Sequence, residues 1–445
     1  MQDCSPNTDM HAGTHTTDAA GDTAKAVTRQ DFPDGLRLDL DLGVAAYPVF
    51  VTKDPARLLA TYLKSLAEQQ SLVLDSPPRV VVLCDQNTAE LFGIETETQF
   101  ITAGWQVDAL TIPAGDSAKS LATVEQICEA LAVLGATRRT LLCSLGGGVI
   151  SDTAGMVAAL YKRGMPLVHL PTTLVGLIDA AIGGKAAVNT TSTKNLIGLY
   201  KHPLAVASDL AFLDQLSIED YAAGLAEAAK TAILSGESCI EWMEENTDQL
   251  LARDPATLQE LIARCIAFKA RVVADDPYEN TLPSRRQALN YGHTLGHVIE
   301  TVTALHAGQQ AAEAELDQQS ASEADQQSAA FSDGQTPSAI SHGIAIAQGM
   351  RFEARLAMQL LDADRDFVLR QDALLDRLGL SPLDPAIMGD DITLIEDAFY
   401  RDKKVINNDL RFVLLPSAGR PELVTVPREV LHDHLRAWLD SAQDQ

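Results

Sequence analysis

Several features that define common protein classes are absent from this sequence. No apolar run approaches the roughly 18 residues that a membrane-spanning helix requires, and the first thirty residues contain no apolar core typical of a signal peptide. The six cysteines lack C-x-x-C spacing and mostly lie in apolar segments, which favours reduced, buried thiols over a disulfide framework or a zinc knuckle. We therefore expect a cytoplasmic protein that is not embedded in a membrane.

Basic residues are also scarce, since 34 Lys and Arg stand against 61 Asp and Glu, for a formal net charge of -27. This charge argues against nucleic acid or an anionic membrane as a partner, because both repel an acidic surface. Against this background, any local cluster of lysines and arginines indicates a specific anionic ligand.

The order of the apolar segments predicts two folded domains after a disordered polar tail at residues 1–31. Residues 32–216 alternate nearly continuous Val- and Leu-rich runs with helix-like segments, which predicts an α/β domain with a mostly parallel, doubly wound sheet. Residues 217–445 consist mainly of long amphipathic segments and predict a mainly α-helical domain that ends in a short hairpin. The runs interpreted as strands are RVVVLCD (79–85), WQVDALTIP (105–113), TLLCSLGGG (140–148), PLVHLPTT (166–173), LAVASDL (204–210), LRFVLLPS (410–417) and ELVTVP (422–427).

One stretch of the helical half, residues 307–339, differs in composition from its surroundings. It is rich in Gln, Ala, Ser and acidic residues and has almost no large apolar side chains. Such a segment buries too little surface to offset the entropy lost on ordering. It therefore predicts a mobile acidic loop or a frayed helix.

A glycine-rich turn follows one predicted strand, where GGGVISD leads into a helical segment at residues 153–161. Glycines let backbone amides approach a phosphate at a helix N-terminus, but a plain tight turn has the same pattern, because the full G-x-G-x-x-G spacing is missing. Its position in a doubly wound sheet favours nucleotide binding. Other polar residues at strand ends are Asp85 and Asn87, which could hold a ribose, and Asp116 and Lys119.

Charged residues lie among small and apolar ones in LPTTLVGLIDAAIGGKAAVNTTSTKNLIG (170–198). Lysines in such a setting are costly unless they are paired or bind an anion, and exposed surface lysines are the alternative. Two lysines within ten residues favour an anionic ligand. The polar residues concerned are Asp179, Lys185, Asn189, Lys194 and Asn195.

Two later helical segments carry isolated groups suited to metal or acid–base chemistry. In GLAEAAKTAIL, Glu227 and Lys230 lie three apart on one face, which fits either a salt bridge or a functional pair. In NYGHTLGHVIE, His293 and His297 lie four apart, with Glu300 near the same face. A solvated helix face explains this histidine pair equally simply, so these residues alone leave both interpretations open.

Together, these segments resemble the 3-dehydroquinate synthase family of sugar-phosphate cyclases over residues 35–430. The resemblance rests on five motifs in the family order: LGGGVISDTAG, LPTTL…DAAIGGKAAVN…KNLIG, GLAEAAK, LNYGHTLGH and RDKK. It implies conversion of 3-deoxy-D-arabino-heptulosonate 7-phosphate (DAHP) to 3-dehydroquinate with release of phosphate, in the shikimate pathway. It also implies a catalytic NAD, reduced and re-oxidised in each turnover, and a divalent metal, zinc or cobalt.

The resemblance further assigns roles to individual residues. The implied metal ligands are Glu227, His293 and His342. The implied substrate-binding and catalytic residues are Lys185, Lys194, Asn195, Lys230, Lys269, Arg286, Asn290, His297, Lys403, Lys404, Asp179 and Arg163. The implied NAD-binding residues are Asp85, Asn87, Asp116, Lys119, Gly147, Gly148, Val149, Ile150, Asp152, Thr172, Thr173, Lys185, Lys194, Phe212 and Gln215. His297 would face the substrate, Glu300 would orient a histidine or cap the loop, and Arg163 would enter a neighbouring subunit's site in a homodimer.

Several positions depart from the family pattern without removing an implied metal ligand. Asp116 and Ile344 stand where glutamates are usual, and Gln215 stands where a threonine is usual. Ala186 and Ala187 replace a Thr-Gly pair. These changes bear on substrate specificity and on cofactor affinity.

Three alternatives to 3-dehydroquinate synthase remain. The first is a cyclase for a different sugar phosphate, against which the intact GGK at 183–185 and GHTLGH count. The second is a metal-dependent polyol dehydrogenase of similar architecture, whose metal site would be richer in histidine and would lack the lysine cluster. The third is a non-catalytic descendant that only binds NAD or a partner.

Overall fold

The computed structural model describes residues 26–190, 193–281, 285–320, 340–389, 392–401, 405–406 and 409–440. Its N-terminal half contains an eight-stranded sheet in the spatial order β1-β2-β3-β10-β7-β6-β4-β5, and β8 and β9 form a separate hairpin. The strands are β1 (Val27–Phe32), β2 (Gly35–Asp41), β3 (Ala46–Thr52), β4 (Arg79–Asp85), β5 (Gln106–Ile112), β6 (Leu141–Gly146), β7 (Leu167–Pro171), β8 (Lys185–Val188), β9 (Ile197–Tyr200) and β10 (Val206–Ser208).

The sheet is mostly parallel and is covered on both faces, as the alternation of segments predicts. Every neighbouring pair from β3 to β5 is parallel. Along β4, Val80 and Val82 face one apolar cluster while Val81 and Leu83 face another, which explains the continuous apolar run. The helices of this half are α1 (Pro55–Glu68), α2 (Gln86–Thr88), α3 (Ile94–Thr102), α4 (Leu121–Val133) and α5 (Gly148–Leu160). Residues of α1 and α3 join the first cluster, and residues of α4 and α5 join the second.

The predicted tail is wrong for its last residues, because β1 belongs to the sheet. β1 pairs antiparallel with β2, and β2 pairs antiparallel with β3. The sequence of β1, VTRQDF, is polar because the strand lies at the sheet edge, where none of its side chains is fully buried. Arg29 also ties this edge to the helical half through a 2.5 Å ion pair with Glu260. A polar edge strand of this kind has no apolar signal, so composition cannot separate it from a tail.

The second half is mainly helical, as predicted. A short helix, α6 (Leu210–Asp214), follows the last strand of the first half. The helices of the second half are α7 (Ile218–Ser235), α8 (Glu237–Glu245), α9 (Thr247–Leu251), α10 (Pro255–Asp275), α11 (His293–Ser320), α12 (His342–Leu361), α13 (Arg365–Arg377), α14 (Ile392–Arg401) and α15 (Arg428–Asp440). Their starts have recognisable caps: the Ser217 side chain accepts from the Asp220 amide before α7, and Asp254 does the same for Thr257 before α10.

The predicted C-terminal hairpin is confirmed and gains a third strand. β12 (Asp409–Leu414) pairs antiparallel with β13 (Glu422–Val426), and the short β11 (Val405–Ile406) pairs with β12. In the predicted acidic segment 307–339, α11 continues as far as Ser320, and residues 321–339 lie outside the described part of the chain.

Among the described residues, no helix has both the length and the apolar character that a membrane span demands. The described cysteines all carry free thiols. They are Cys84, Cys128, Cys143, Cys239 and Cys265.

Candidate active site

Three side chains from different helices converge at one point. Glu227 lies on α7, while His293 and His342 are the first residues of α11 and α12. The Nε2 atoms of His293 and His342 lie 3.6 and 3.5 Å from Glu227 Oε1, and one ligand atom from each residue lies within 4.8 Å of the others. One carboxylate and two imidazoles at this separation form a donor set suited to zinc or a related divalent metal.

Close backbone packing fixes the distance between the three helices. A methyl group on Gly343 would overlap the backbone of Ala223 on α7, and a methyl group on Gly349 would overlap the backbone of Gly292 just before α11. Only glycine permits such approaches. The separation of the three ligand-bearing helices is therefore set by main-chain contact rather than by flexible side chains.

A buried carboxylate holds the start of the histidine helix. Glu353 on α12 is 0% exposed and accepts hydrogen bonds from the backbone amides of Gly292 (2.7 Å) and Thr294 (3.3 Å). These are amides that an α-helix leaves unpaired at its N-terminus, where a negative charge is also favourable. Glu353 thus fixes where α11 begins and, with it, the backbone of His293.

The surroundings of the three ligands fit a metal ion. Glu227 is 2% exposed, and among the described residues neither of its oxygens receives a well-directed hydrogen bond, although Lys230 Nζ lies 2.5 Å from Oε2. Both imidazoles have their Nδ1 atoms engaged elsewhere. That of His293 lies 3.1 Å from the Tyr291 carbonyl oxygen, and that of His342 lies 3.3 Å from Glu300 Oε1. This leaves each Nε2 directed at Glu227.

The charges around the three residues shift their protonation in different directions. Burial alone would raise the pKa of Glu227, but Lys230 and the two histidines overcome it and hold this pKa well below its usual value. Burial, with the charge of Lys230, holds the pKa of His293 well below its usual value, so this imidazole is neutral and able to bind a metal. Burial opposes protonation of His342, but Glu227 and Glu300 raise its pKa to about 10. The two carboxylates thus favour a cation at this place.

Two predicted lysines lie beside the three ligands with their charges already compensated. Lys269 Nζ lies 2.6 Å from Asp179 Oδ1 and donates to the Asp179 carbonyl oxygen at 2.5 Å, and Lys230 pairs with Glu227. Burial would raise the pKa of Asp179, but the charges of Lys269 and Lys230 lower it. Because a buried cation without a partner is costly, these pairs keep the lysines charged in the interior.

A second group of predicted residues surrounds the GGK turn. The side chain of Arg286 is buried and donates to the Gly183 carbonyl oxygen at 3.2 Å, and it also lies over the ring of Tyr200. Lys185 is exposed and forms a 2.5 Å ion pair with Glu279. The sequence had suggested the two cations, but not the carboxylate partner of Lys185.

A third group connects the loop before β9 with both halves of the chain. Lys194 Nζ lies 3.3 Å from Glu300 Oε1 and 3.4 Å from Asp116 Oδ2. Lys119 is 7% exposed; its Nζ lies 2.5 Å from Asp152 Oδ2 and donates to Asn195 Oδ1 at 2.5 Å. Asn189 joins these contacts, since it donates to Asp116 Oδ2 at 3.1 Å and accepts from the Asn195 amide at 2.9 Å. Four predicted cofactor residues and Asn195 therefore meet in one polar network.

The glycine-rich turn lies at the carboxyl ends of β6 and β7. β6 ends at Gly146 and α5 begins at Gly148, so Gly147, Gly148 and the Val149 backbone lie at a helix N-terminus. Thr173 lies against Gly147, and Thr172 is 3% exposed in the same corner. Ile150 is also among the predicted cofactor residues, but its side chain belongs to the apolar core. Only its backbone remains available to a ligand.

Other predicted cofactor residues have local structural partners. Asp85 Oδ1 accepts from the Thr88 amide at 2.8 Å and so caps a short helix. Asn87 and Gln215 are exposed, and the Phe212 ring packs on Phe92 with centroids 4.6 Å apart. For Asp85 and Phe212 the described contacts are structural, and for all four residues the cofactor role stays a prediction.

The remaining predicted residues differ in position. The His297 ring lies 5.4 Å from that of His293, centroid to centroid, and Asn290 ends the short helical turn just before α11. Arg163 is exposed on a turn after α5, where both it and Lys162 have positive φ angles of 65° and 47°. Lys403 and Lys404 lie outside the described residues.

Comparison with known proteins identifies the family. The profile described as 3-dehydroquinate synthase N-terminal matches residues 109–223, and the C-terminal profile matches residues 224–311. A 3-dehydroquinate synthase from Dehalococcoides mccartyi is 35% identical over 358 residues, covering 80% of this chain and 89% of the relative. One from Acinetobacter baumannii is 32% identical over 385 residues, covering 86% and 93%.

The solved structures agree on the fold. A 2-deoxy-scyllo-inosose synthase complexed with carbaglucose-6-phosphate, NAD+ and Co2+ matches with a TM-score of 0.70 at 24% identity, covering 88% of this chain and 97% of that one. At this identity the match shows a shared fold alone, whereas the curated relatives share sequence over most of both chains. The chain belongs to the 3-dehydroquinate synthase family.

Proposed function

We propose that this protein cyclises DAHP to 3-dehydroquinate with release of phosphate, as a lyase of the shikimate pathway to aromatic amino acids. The observation that carries the proposal is the convergence of Glu227, His293 and His342 beside buried lysines, in a chain of this family. Curated relatives at 32–35% identity over at least 80% of the chain support this cyclase over those that act on other sugar phosphates.

We assign one divalent metal, zinc or cobalt, to Glu227, His293 and His342. Support comes from the buried Glu227 oxygens without well-directed hydrogen bonds and from the two Nε2 atoms aimed at them. Three protein ligands leave coordination positions for a substrate, as a catalytic site requires. When bound, the metal supplies Lewis acidity toward substrate hydroxyls, and NAD supplies reversible hydride acceptance.

The substrate carries a carboxylate and a phosphate, and the cations of the site match two anionic groups. Lys230, Lys269 and Arg286 are largely buried, so the region around them is low in dielectric and favours an anion strongly. Their partners Glu227, Asp179 and the Gly183 carbonyl hold them in place before substrate arrives. Cations that are already fixed orient the substrate as it binds, and this lowers the entropic cost of ring closure.

Further residues complete the substrate site in this proposal. Lys185 and Lys194 are about half exposed, so they can reach an entering phosphate, and His297 is available to move a proton at a substrate oxygen next to His293. The other proposed substrate residues are Asn195, Asn290, Lys403 and Lys404.

We place NAD along the carboxyl ends of β4, β6 and β7. The backbone amides at Gly147, Gly148 and Val149 begin α5 and suit a pyrophosphate. The neighbouring network of Lys119, Asp152 and Asn195 suits a polar part of the cofactor.

We also propose a homodimer in the cytoplasm. The two consecutive positive φ angles at Lys162 and Arg163 are a strained conformation that functional sites often retain, and they support a role for Arg163 in a neighbouring subunit's site. The free thiols, among them the buried Cys143, support a reducing compartment.

Incubation of the purified protein with DAHP, NAD and zinc tests the proposal, with phosphate release and product identity as readouts. We expect 3-dehydroquinate in proportion to phosphate and no accumulation of NADH, because the hydride returns to the product. Stoichiometric NADH without phosphate release would instead indicate a polyol dehydrogenase. Turnover of another sugar phosphate but not of DAHP would indicate a different cyclase.

A further inference from the structure

Glu300 occupies an unusual position between two groups of the site. It lies on α11, two turns after His293, and is 8% exposed. A single oxygen, Oε1, lies 3.3 Å from His342 Nδ1 and 3.3 Å from Lys194 Nζ. One carboxylate oxygen therefore contacts both an assigned metal ligand and an assigned substrate lysine.

His342 needs this contact more than His293 does. His293 is 14% exposed in its side chain, and its Nδ1 faces the carbonyl of Tyr291 two residues earlier. His342 is 39% exposed in its side chain, and its Nδ1 contact within the described residues is with Glu300. An imidazole that presents Nε2 to a metal donates from Nδ1, and a carboxylate acceptor fixes both its tautomer and its ring orientation.

Lys194 extends the same contact across the site. Its ammonium group lies between Glu300 of the helical half and Asp116 of the α/β half. The Lys194 side chain is 44% exposed, so without these partners it could adopt many rotamers. Glu300 thus restrains a mobile lysine and a partly exposed histidine together.

We propose that Glu300 is a positioning residue that orients His342 for metal binding and holds Lys194 for the anionic substrate. The inference rests on the proposed function for the assignment of the metal to Glu227, His293 and His342. It predicts that the loss of Glu300 weakens metal binding itself, before any turnover.

The test compares Glu300→Ala and Glu300→Gln with a matched control, Glu260→Gln. Glu260 is another ion-paired carboxylate; it lies on α10, away from Glu300, and pairs with Arg29 and Arg264. Zinc affinity of metal-free protein is measured by competition with a chromophoric chelator, and the visible spectrum of the Co²⁺-loaded protein reports the ligand field. We expect Glu300→Ala to lose affinity by about 10- to 100-fold with an altered cobalt spectrum, as is typical when the partner of a ligating histidine is removed. Glu300→Gln should fall between Glu300→Ala and the parent, since its amide oxygen can still accept from Nδ1, and Glu260→Gln should match the parent.

Lys194 is tested by a double-mutant cycle on the KM for DAHP. Glu300→Gln and Lys194→Ala should raise KM by less in combination than the product of their separate effects, because each removes the same contact.

Three results would overturn the inference: parent-like zinc affinity and cobalt spectrum in both Glu300 variants, an equal loss in Glu260→Gln, or independent effects on KM. Should Glu300→Ala fail to fold, the near-isosteric Glu300→Gln decides the metal arm. Failure of the parent to release phosphate from DAHP would refute the proposed function. The zinc affinities, which require no turnover, would still decide the role of Glu300 at His342.

Discussion

The substitution His293→Ala tests the metal assignment most directly. His293 supplies one of three protein ligand atoms, all within 4.8 Å of one another. Structural zinc sites with four ligands bind with roughly 10–16 kcal/mol, which is about 2.5–4 kcal/mol for each ligand. Loss of His293 should therefore weaken zinc binding by a factor on the order of 10² to 10³. The remaining pair, Glu227 and His342, would retain little zinc through dialysis.

The assay is the zinc content per chain after dialysis against a weak chelator, together with phosphate release from DAHP. His306→Ala is the matched control, because His306 lies on the same helix, 13 residues after His293, and has no assigned role in the site. We expect His293→Ala to lose both zinc and turnover while His306→Ala keeps both. One tightly bound zinc per chain in His293→Ala would refute the assignment, even if turnover were lost.

Three further predictions concern residues that support the three ligand-bearing helices and the sheet. Glu353→Gln removes the negative charge from the side chain that accepts hydrogen bonds from the Gly292 and Thr294 amides. The free energy of unfolding, measured by urea denaturation, should fall by about 1–3 kcal/mol. An unchanged midpoint would contradict the capping role. Gly343→Ala should destabilise by about 3 kcal/mol, at the upper end for overpacking, because its methyl group meets backbone; a parent-like melting temperature would contradict this packing. Burial lowers the pKa of His169 from 6.5 to about 4, so the unfolded chain binds a proton there between these pH values and the folded chain does not. Stability should fall by about 3 kcal/mol from pH 6.5 to pH 4, and His169→Gln should remove that part of the pH dependence; an identical dependence in the variant would contradict it.

Much of the fold can be predicted because burial leaves a pattern in the sequence. β4, β6 and β7 are covered on both faces, so their apolar runs are continuous and were recognisable as strands. β1 is a polar edge strand, and the β8–β9 hairpin has only four residues in each strand. Neither has a long apolar run, and both depend on pairing partners that the local sequence does not reveal.

The candidate site could be predicted only where motifs carry the information. Glu227 and His293 stand in recognisable motifs, and the structure brings them together with His342. The partners that adjust the site were not predictable, since Glu279 and Glu353 acquire their roles through contacts with distant segments. A glutamate inside the apolar sequence of α12 was the available signal for Glu353. Its partners at Gly292 and Thr294 could not be inferred from spacing.

The contact of Gly343 with Ala223 has a consequence for how this protein can vary between relatives. α12 is anchored to α7 by Gly343, the residue that follows His342, and to the start of α11 by Gly349, six residues later. The backbone of His342 is therefore positioned by residues that follow it in the sequence. Insertions or deletions between α11 and α12 would leave these two contacts in place, whereas a single methyl group added at Gly343 or Gly349 would disrupt them. Relatives should accordingly differ in length before this histidine, whereas few substitutions should be tolerated at the two glycines after it.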